Sequence, residues 1–207
     1  MADDVTDDTP ALRIVPAADA PFTDVEQVFG TKGDAAHCWC QWFMIEARDW
    51  RAVGDEGLRQ RLEGQLAEPG PGRGLLAYDG DEPVGWCAVE PRRDLPRLRR
   101  SRAVVSGTTH PDFDDETVWA VSCFVIPRAH RGRGIGRALA RAAIGFAREH
   151  GATTLEAYAV DPSARSKPSA EELFHGTVSM FADAGFAEVA RTTTSRVVME
   201  HRLAGRA

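Results

Sequence analysis

The stretch Ala129–Ala143, AHRGRGIGRALARAA, sets three glycines and four arginines ahead of an alanine-rich run. Just before it, TVWAVSCFVIP (Thr117–Pro127) is a β-branched and aromatic run ended by Pro127, which predicts a strand. Just after it, Ile135, Leu139, Ala142, Ala143 and Phe146 share one face of a helix predicted from Gly134 to His150, with Gly151 as its stop. Strand, glycine corner and helix start make a cradle for an anion. Glycines let the backbone approach closely and expose successive N–H groups, and the helix N-terminus adds the positive end of its dipole. Arg131, Arg133 and Arg137 can add charge-assisted hydrogen bonds. Two familiar anion loops are excluded. The dinucleotide fingerprint needs a third glycine where Arg137 stands, and the ATP loop needs a lysine that is nowhere near.

Working outward, the whole chain has 207 residues, 43% hydrophobic and 27% charged, which suits one domain with a core of its own. Its formal charge of −6 opposes general nucleic-acid binding, although Arg92, Arg93, Arg97, Arg99, Arg100 and Arg102 crowd one segment. No apolar run approaches the ~20 residues of a membrane span. Residues 1–10, MADDVTDDTP, read as a short disordered acidic head without an apolar leader, and residues 11–207 as a single domain. Cys38, Cys40, Cys87 and Cys123 are too few and scattered for a disulfide scaffold, which fits a reducing cytoplasm.

Along the chain, ALRIVPA predicts a strand and PFTDVEQVFG a helix stopped by Gly30. HCWCQWFMIEARDW and DEGLRQRLEGQLAEPG read as helical pieces parted at Gly54, the second with a Leu58, Leu62, Leu66 stripe. RGLLAY and PVGWCAVE form a hairpin across DGDE. TTLEAYAV is a strand, EELFHGTVSMFADAG a helical region broken near Gly176, and FAEVAR and SRVVMEHRL are closing strands. The fold class is α/β of the α+β kind: a mixed, mostly antiparallel sheet with one parallel crossover, flanked by helices.

Arg131-x-x-Gly134-x-Gly136 after CFVIP resembles motif A of the GNAT superfamily of acyl-CoA-dependent N-acetyltransferases, whose consensus is Gln/Arg-x-x-Gly-x-Gly/Ala. The late helix followed by "GF" at Gly185–Phe186 is similar to that family's motif B, and the hairpin to its second and third strands. The resemblance implies a central sheet splayed between its fourth and fifth strands. It implies acetyl-CoA as the donor, with no metal. The pyrophosphate would lie on Arg131, Gly132, Arg133, Gly134, Ile135, Gly136 and Arg137, and the pantetheine would pair like an added strand with the backbone near Phe124, Val125 and Ile126. The acceptor would be a primary amine of a small molecule or peptide, acetylated by direct transfer in a ternary complex. No nucleic acid and no membrane would take part, and a homodimer is left open.

Two positions depart from the family pattern. The slot of its general-base glutamate is Ala120, and the slot of its leaving-group tyrosine is Phe181. Glu156 and Tyr158, on one face of the TTLEAYAV strand by alternation, are the substitute acid and base, with Ser179 as a nearby hydroxyl. His175 reads as a surface histidine at a loop–helix junction, and Cys123 as inert packing. Trp39, Trp42 and Trp119 are expected to wall the acceptor pocket, where aromatic faces suit a cationic amine. Cys38-x-Cys40 beside His37 is a weak metal signal without a second pair. The alternative from another class is a non-catalytic acyl-CoA-binding regulatory module, consistent with the two empty slots.

Overall fold

The computed structural model describes residues 12–70, 73–164 and 173–203. The acidic head expected at 1–10 lies outside these residues. Among the described residues seven strands make one sheet: β1 (Arg13–Pro16), β2 (Leu75–Asp79), β3 (Glu82–Pro91), β4 (Val118–Val125), β5 (Thr154–Val160), β6 (Ala187–Arg191) and β7 (Arg196–Arg202). Their order is β1-β2-β3-β4-β5-β7-β6. Every neighbouring pair is antiparallel except β4–β5, the one parallel pair. The crossover between those two strands is α5 (Ile135–Glu149), the helix that starts in the glycine stretch.

α5 lays Ile135, Leu139, Ala143 and Phe146 on one face of the sheet, against Val89, Val121, Leu155 and Ala157. Gly85 permits this close seat, since a Cβ there would stand 2.7 Å from Ile135 Cγ2. The opposite face is covered in two parts. Over β2 and β3 lie α1 (Phe22–Phe29) and α3 (Trp50–Ala67), whose Leu58 and Leu62 pack with Leu76 and Trp86. Each such buried leucine is worth roughly 2 kcal/mol of transfer free energy. Over β4, β5 and β7 lies the arginine-rich connection, which includes α4 (Arg102–Gly107) and buries Leu95, Leu98 and Val104 against Ala120, Tyr158 and Val198.

One expected helix is mostly not a helix. The HCWCQWF segment contributes only the end of α2 (Asp34–Cys38). Trp39 and Cys40 then take left-handed backbone angles, φ 46° and 51°, and turns lead on to α3. Burial overrides helical propensity at this corner. The turn stacks the Trp39 ring on Phe29 at 5.1 Å and sinks the Cys40 side chain into the same cluster. The expected break at Gly54 is present, where φ 67° and ψ 166° kink α3.

Two irregularities in β4 coincide. Ala88 pairs with Cys123 but Val89 with Val121, so Ser122 is an extra residue bulged out of the β3–β4 ladder. The parallel β4–β5 ladder stops at Val121–Ala157. Beyond it β5 stays with β7 as far as Val160, while β4 stays with β3 as far as Val125. The sheet therefore splays between its fourth and fifth strands, starting at the bulge.

Candidate active site

The cradle takes its shape from left-handed glycines. Gly132 (φ 77°) and Gly134 (φ 76°) turn the chain into α5, Gly134 serving as the N-cap. No side chain caps this helix and no acidic residue lies in its first turn, so its leading N–H groups keep their capacity for an anion. Gly136 has a different task. A Cβ there would sit 2.8 Å from Met180 Sδ, so this glycine lets α5 pack on α6 (Val178–Asp183).

The arginines divide in two. Arg133 is paired with Asp79 and Arg137 faces Asp183 at 3.7 Å. Among the described residues Arg131 gives only its Nε, to the Ile126 carbonyl at 3.0 Å. Arg128 and Lys32, neither of them expected from the sequence to serve the site, make no ion pair among the described residues.

One cavity of about 1060 Å³ runs from this loop along β4. Its lining includes Arg128 and Arg131, Val125 and Ile126, and Cys38, Cys40, Phe43 and Cys123. Trp42, Lys32, Asp34 and Phe174 also line it. On the far side of the splay the 173–177 segment is tied to β5 by Val160 N donating to the Gly176 carbonyl at 3.0 Å. Gly176 (φ 78°) admits no side chain, because a Cβ would meet Met180, Phe181 and Phe124 within 3.1 Å.

Two buried carboxylates flank the splay and differ sharply in their partners. Glu156, fully buried, accepts from Arg92 Nη1 at 3.1 Å, from Tyr158 Oη at 2.9 Å and from Thr108 Oγ1. Arg92, also fully buried, spends its other nitrogen on the His110 and Asp112 carbonyls at 2.8 and 2.6 Å. This cluster pins the 108–112 loop to the sheet. Burial, and then the Glu156 charge, push the Tyr158 phenol well above its usual range. Glu90, only 2% exposed, has a single hydrogen bond among the described residues, from Ser122 Oγ at 3.0 Å. Burial lifts its carboxyl to about 7.

His175 is partly covered rather than exposed at the surface. Its ring packs on Phe174 and Phe43, with centroids 4.1 and 5.6 Å away, and its buried Nδ1 has no partner among the described residues. Burial, reinforced by Arg196, lowers it to about 3, so the imidazole is neutral at physiological pH. Burial also keeps the Cys38 and Cys40 thiols protonated, Cys38 being pushed up to about 12. Neither is a nucleophilic thiolate.

Of the three tryptophans expected in the acceptor pocket, the structure brings only Trp42 to the cavity. It is 42% exposed, under the Arg97 guanidinium at 3.8 Å. Trp39 is instead stacked in the core beneath α1, and Trp119 lies on the α5 face against Phe146 and His150. Strand alternation decides the latter, since Trp119 points with Val121 and away from Ala120. Phe124 likewise directs its ring into the α5 core. Ser179 is exposed in the first turn of α6, 3.2 Å from the Thr177 hydroxyl that caps this helix. Among the described residues no group of three His, Cys, Asp or Glu side chains is arranged for a metal.

The model of the acetyltransferase (GNAT) family matches residues 39–175. No curated protein matches the chain. Solved structures with a similar fold include the Salmonella typhimurium protein yncA with its cofactor acetyl-CoA, 17% identical, covering 95% of this chain and 96% of that one at a TM-score of 0.54. Another is the PaiA N-acetyltransferase from Thermoplasma acidophilum in complex with coenzyme A (12% identity, 93% and 99% coverage, TM-score 0.53). A third is a GCN5-related N-acetyltransferase from Kribbella flavida (19% identity, 93% and 98% coverage, TM-score 0.50). At these identities the likeness concerns the fold.

Proposed function

The chain belongs to the acetyltransferase (GNAT) family, and from that premise we propose that it is an N-acetyltransferase that moves an acetyl group from acetyl-CoA to a primary amine of a small molecule or peptide. The observation that carries this reading is continuity. One cavity is lined by Arg131, which directly precedes the glycine turn into α5, by Val125 and Ile126 on the stretch of β4 and beyond that β5 leaves unpaired, and by Cys123 next to the bulge.

In this reading the backbone N–H groups of Gly132–Arg137, with the Arg131 guanidinium, hold the pyrophosphate. Arg128 and Lys32, which line the cavity, meet further phosphate charge. The edge of Phe124, Val125 and Ile126, which β5 leaves unpaired, takes the pantetheine as an added strand. Arg133 and Arg137 shape the loop through Asp79 and Asp183 and are assigned no grip on the ligand. The donor supplies the electrophilic thioester carbon when bound. The acceptor amine enters past Trp42, Phe43, Cys38 and Cys40, and both partners are held together for direct transfer. Glu156, saturated by three donors, and Tyr158, tied to it, anchor the site and leave proton transfer to other groups.

No helix among the described residues is long and apolar enough to cross a membrane, and all four cysteines are free thiols. We place the enzyme in the cytoplasm. A second reading, a non-catalytic acyl-CoA-binding module, draws on Ala120 and Phe181. Both are buried and neither can move a proton.

Thiol release from acetyl-CoA separates the two. The amine panel is spermidine, an aminoglycoside, free lysine, a peptide with a free N-terminus and a lysine peptide blocked at its N-terminus. Release that depends on one of these amines supports the transferase. Tight coenzyme A binding with no amine-dependent release across the panel supports the binding module.

A further inference from the structure

We propose that Ser122 and Glu90 form the proton-accepting pair of the transfer, the Ser122 hydroxyl taking the proton of the acceptor amine as it passes its own to Glu90 Oε1. The proposal rests on the transferase reading and adds to it the route of the proton.

The geometry begins with the bulge. Ser122 is the extra residue of β4 and the first one beyond the last β4–β5 pair, so it stands at the vertex of the splay. Its neighbour Cys123 lines the cavity. Glu90, at the end of β3, lies in register with Ala120. By alternation from Val89, which packs under α5, it faces the opposite side of the sheet, the side that carries the cavity. The hydroxyl, itself 2% exposed, thus donates to a buried carboxyl one residue along the strand from the cavity-lining Cys123.

Fold stability gives no reason for this carboxyl. Glu156 shows what a structural buried glutamate receives here, an arginine and two hydroxyls. Glu90 receives one hydroxyl, from the residue at the vertex, and burying a carboxyl so thinly satisfied costs stability. Such expense is characteristic of a group kept for chemistry. The charged groups around it are Arg73, which precedes β2, and Asp94, which follows β3; the two are paired at 3.4 Å. Cys87 of β3 and Cys40 of the left-handed turn are its thiol neighbours. Burial dominates, Arg73 and Ser122 pull the other way, and the carboxyl settles at about 7, where a proton acceptor is best matched to neutral pH.

The step balances. The amine nitrogen bonds to the acetyl carbon as the carbon–sulfur bond breaks, and the electron pair leaves with sulfur. The surplus nitrogen proton moves to Ser122 Oγ, the Ser122 proton moves to Glu90, and Glu90 returns a proton to the departing thiolate through solvent. Amine and thioester become amide and thiol, with the pair restored.

Two readouts test this. The first is infrared difference titration of the whole protein, with and without coenzyme A. Wild type should show a carboxyl that titrates near neutrality, and Glu90→Gln should lack it. The second is kcat/KM against pH, with acetyl-CoA and whichever of the five panel amines the wild type acetylates fastest. Glu90→Gln should lose roughly a hundredfold and lose the limb near pH 7, while binding coenzyme A with unchanged affinity by calorimetry. Ser122→Ala, which removes the one donor to the carboxylate, should move the infrared titration to higher pH and lower kcat/KM. A wild type that acetylates none of the panel fails the transferase reading. An active wild type whose pH limb survives in Glu90→Gln, or that has no carboxyl titrating near neutrality, overturns this inference alone.

Discussion

Replacing Glu90 by glutamine should make the protein more stable at high pH, because burial disfavours the ionised carboxylate. The folded carboxyl titrates at about 7 against an ordinary 4.5, with burial as the main cause. A raised carboxyl favours the fold only while it is protonated. Its contribution is complete below pH 4.5, falls as the pH climbs through 7, and is absent above. At roughly 1.4 kcal/mol for each tenfold change in proton affinity, the full swing is about 3 kcal/mol. Glutamine copies the protonated form in shape and can still accept from Ser122, but it never ionises. The stability of the variant minus that of the wild type should therefore start near zero at pH 4.5 and reach about 3 kcal/mol at pH 8. Urea unfolding of both proteins at pH 4.5, 5.5, 6.5 and 8 measures that difference, and every other titrating group cancels within it. A difference that stays flat across the window would show that Glu90 is not desolvated as described, and would remove the energetic ground for assigning it a chemical role.

The other glutamate behaves in the opposite way. Glu156→Gln leaves the buried Arg92 guanidinium without its counter-charge and should cost about 3–5 kcal/mol at pH 7, read from the urea midpoint; a loss under 1 kcal/mol would contradict the anchoring role. Gly134→Asp puts a carboxylate at the N-cap of α5 and should lower coenzyme A affinity at least tenfold by calorimetry, with a folding cost of about 1–2 kcal/mol from the left-handed backbone. Unchanged affinity would refute the cradle assignment. Gly176→Ala combines φ 78° with a Cβ 2.5 Å from Met180 and 2.7 Å from Phe181. It should destabilise by about 2–4 kcal/mol, and a thermal midpoint equal to wild type would sink that claim. The double change Lys32→Ala, Arg128→Ala should weaken coenzyme A binding and flatten its dependence on salt. An identical salt slope would take both cations out of the site.

What was legible in the sequence was whatever local chemistry decides. The α5 loop needs glycines at particular backbone angles and an apolar face at helical spacing, and both are visible in fifteen residues. The hairpin, the strand before the loop and the Gly54 break follow from equally local cues. Side-chain destinations fixed by the rest of the fold were not legible. Aromatic character gathered Trp39, Trp42 and Trp119 into one pocket, yet they occupy a core corner, the cavity lining and the far face of the sheet. The Ser122 bulge exists only in relation to β3, so no reading of β4 by itself could find it. His175 looked exposed because its cover comes from Phe43, more than a hundred residues earlier in the chain.

Glu90 and Glu156 show where that boundary matters for function. Each ends or interrupts an apolar strand run, and the sequence singled out Glu156 because it shares a face with Tyr158. That alternation is real, and Tyr158 does donate to Glu156. The pairing, however, argues against a base. The Glu156 carboxylate oxygens are turned to arginine, tyrosine and threonine donors of the fold itself rather than to the cavity. The better candidate is the carboxyl with a single donor among the described residues, two strands over, opposite the alanine that stands in the usual glutamate slot. A cue for it was present in PVGWCAVE. The run from Pro83 to Val89 is buried throughout, as a central strand covered on both faces must be. A glutamate that closes such a run inherits the burial without a local partner. Within a two-sided strand, the acidic residue with the fewest donors in reach is therefore the better candidate for proton transfer, and only the register of the neighbouring strand tells which residue that is.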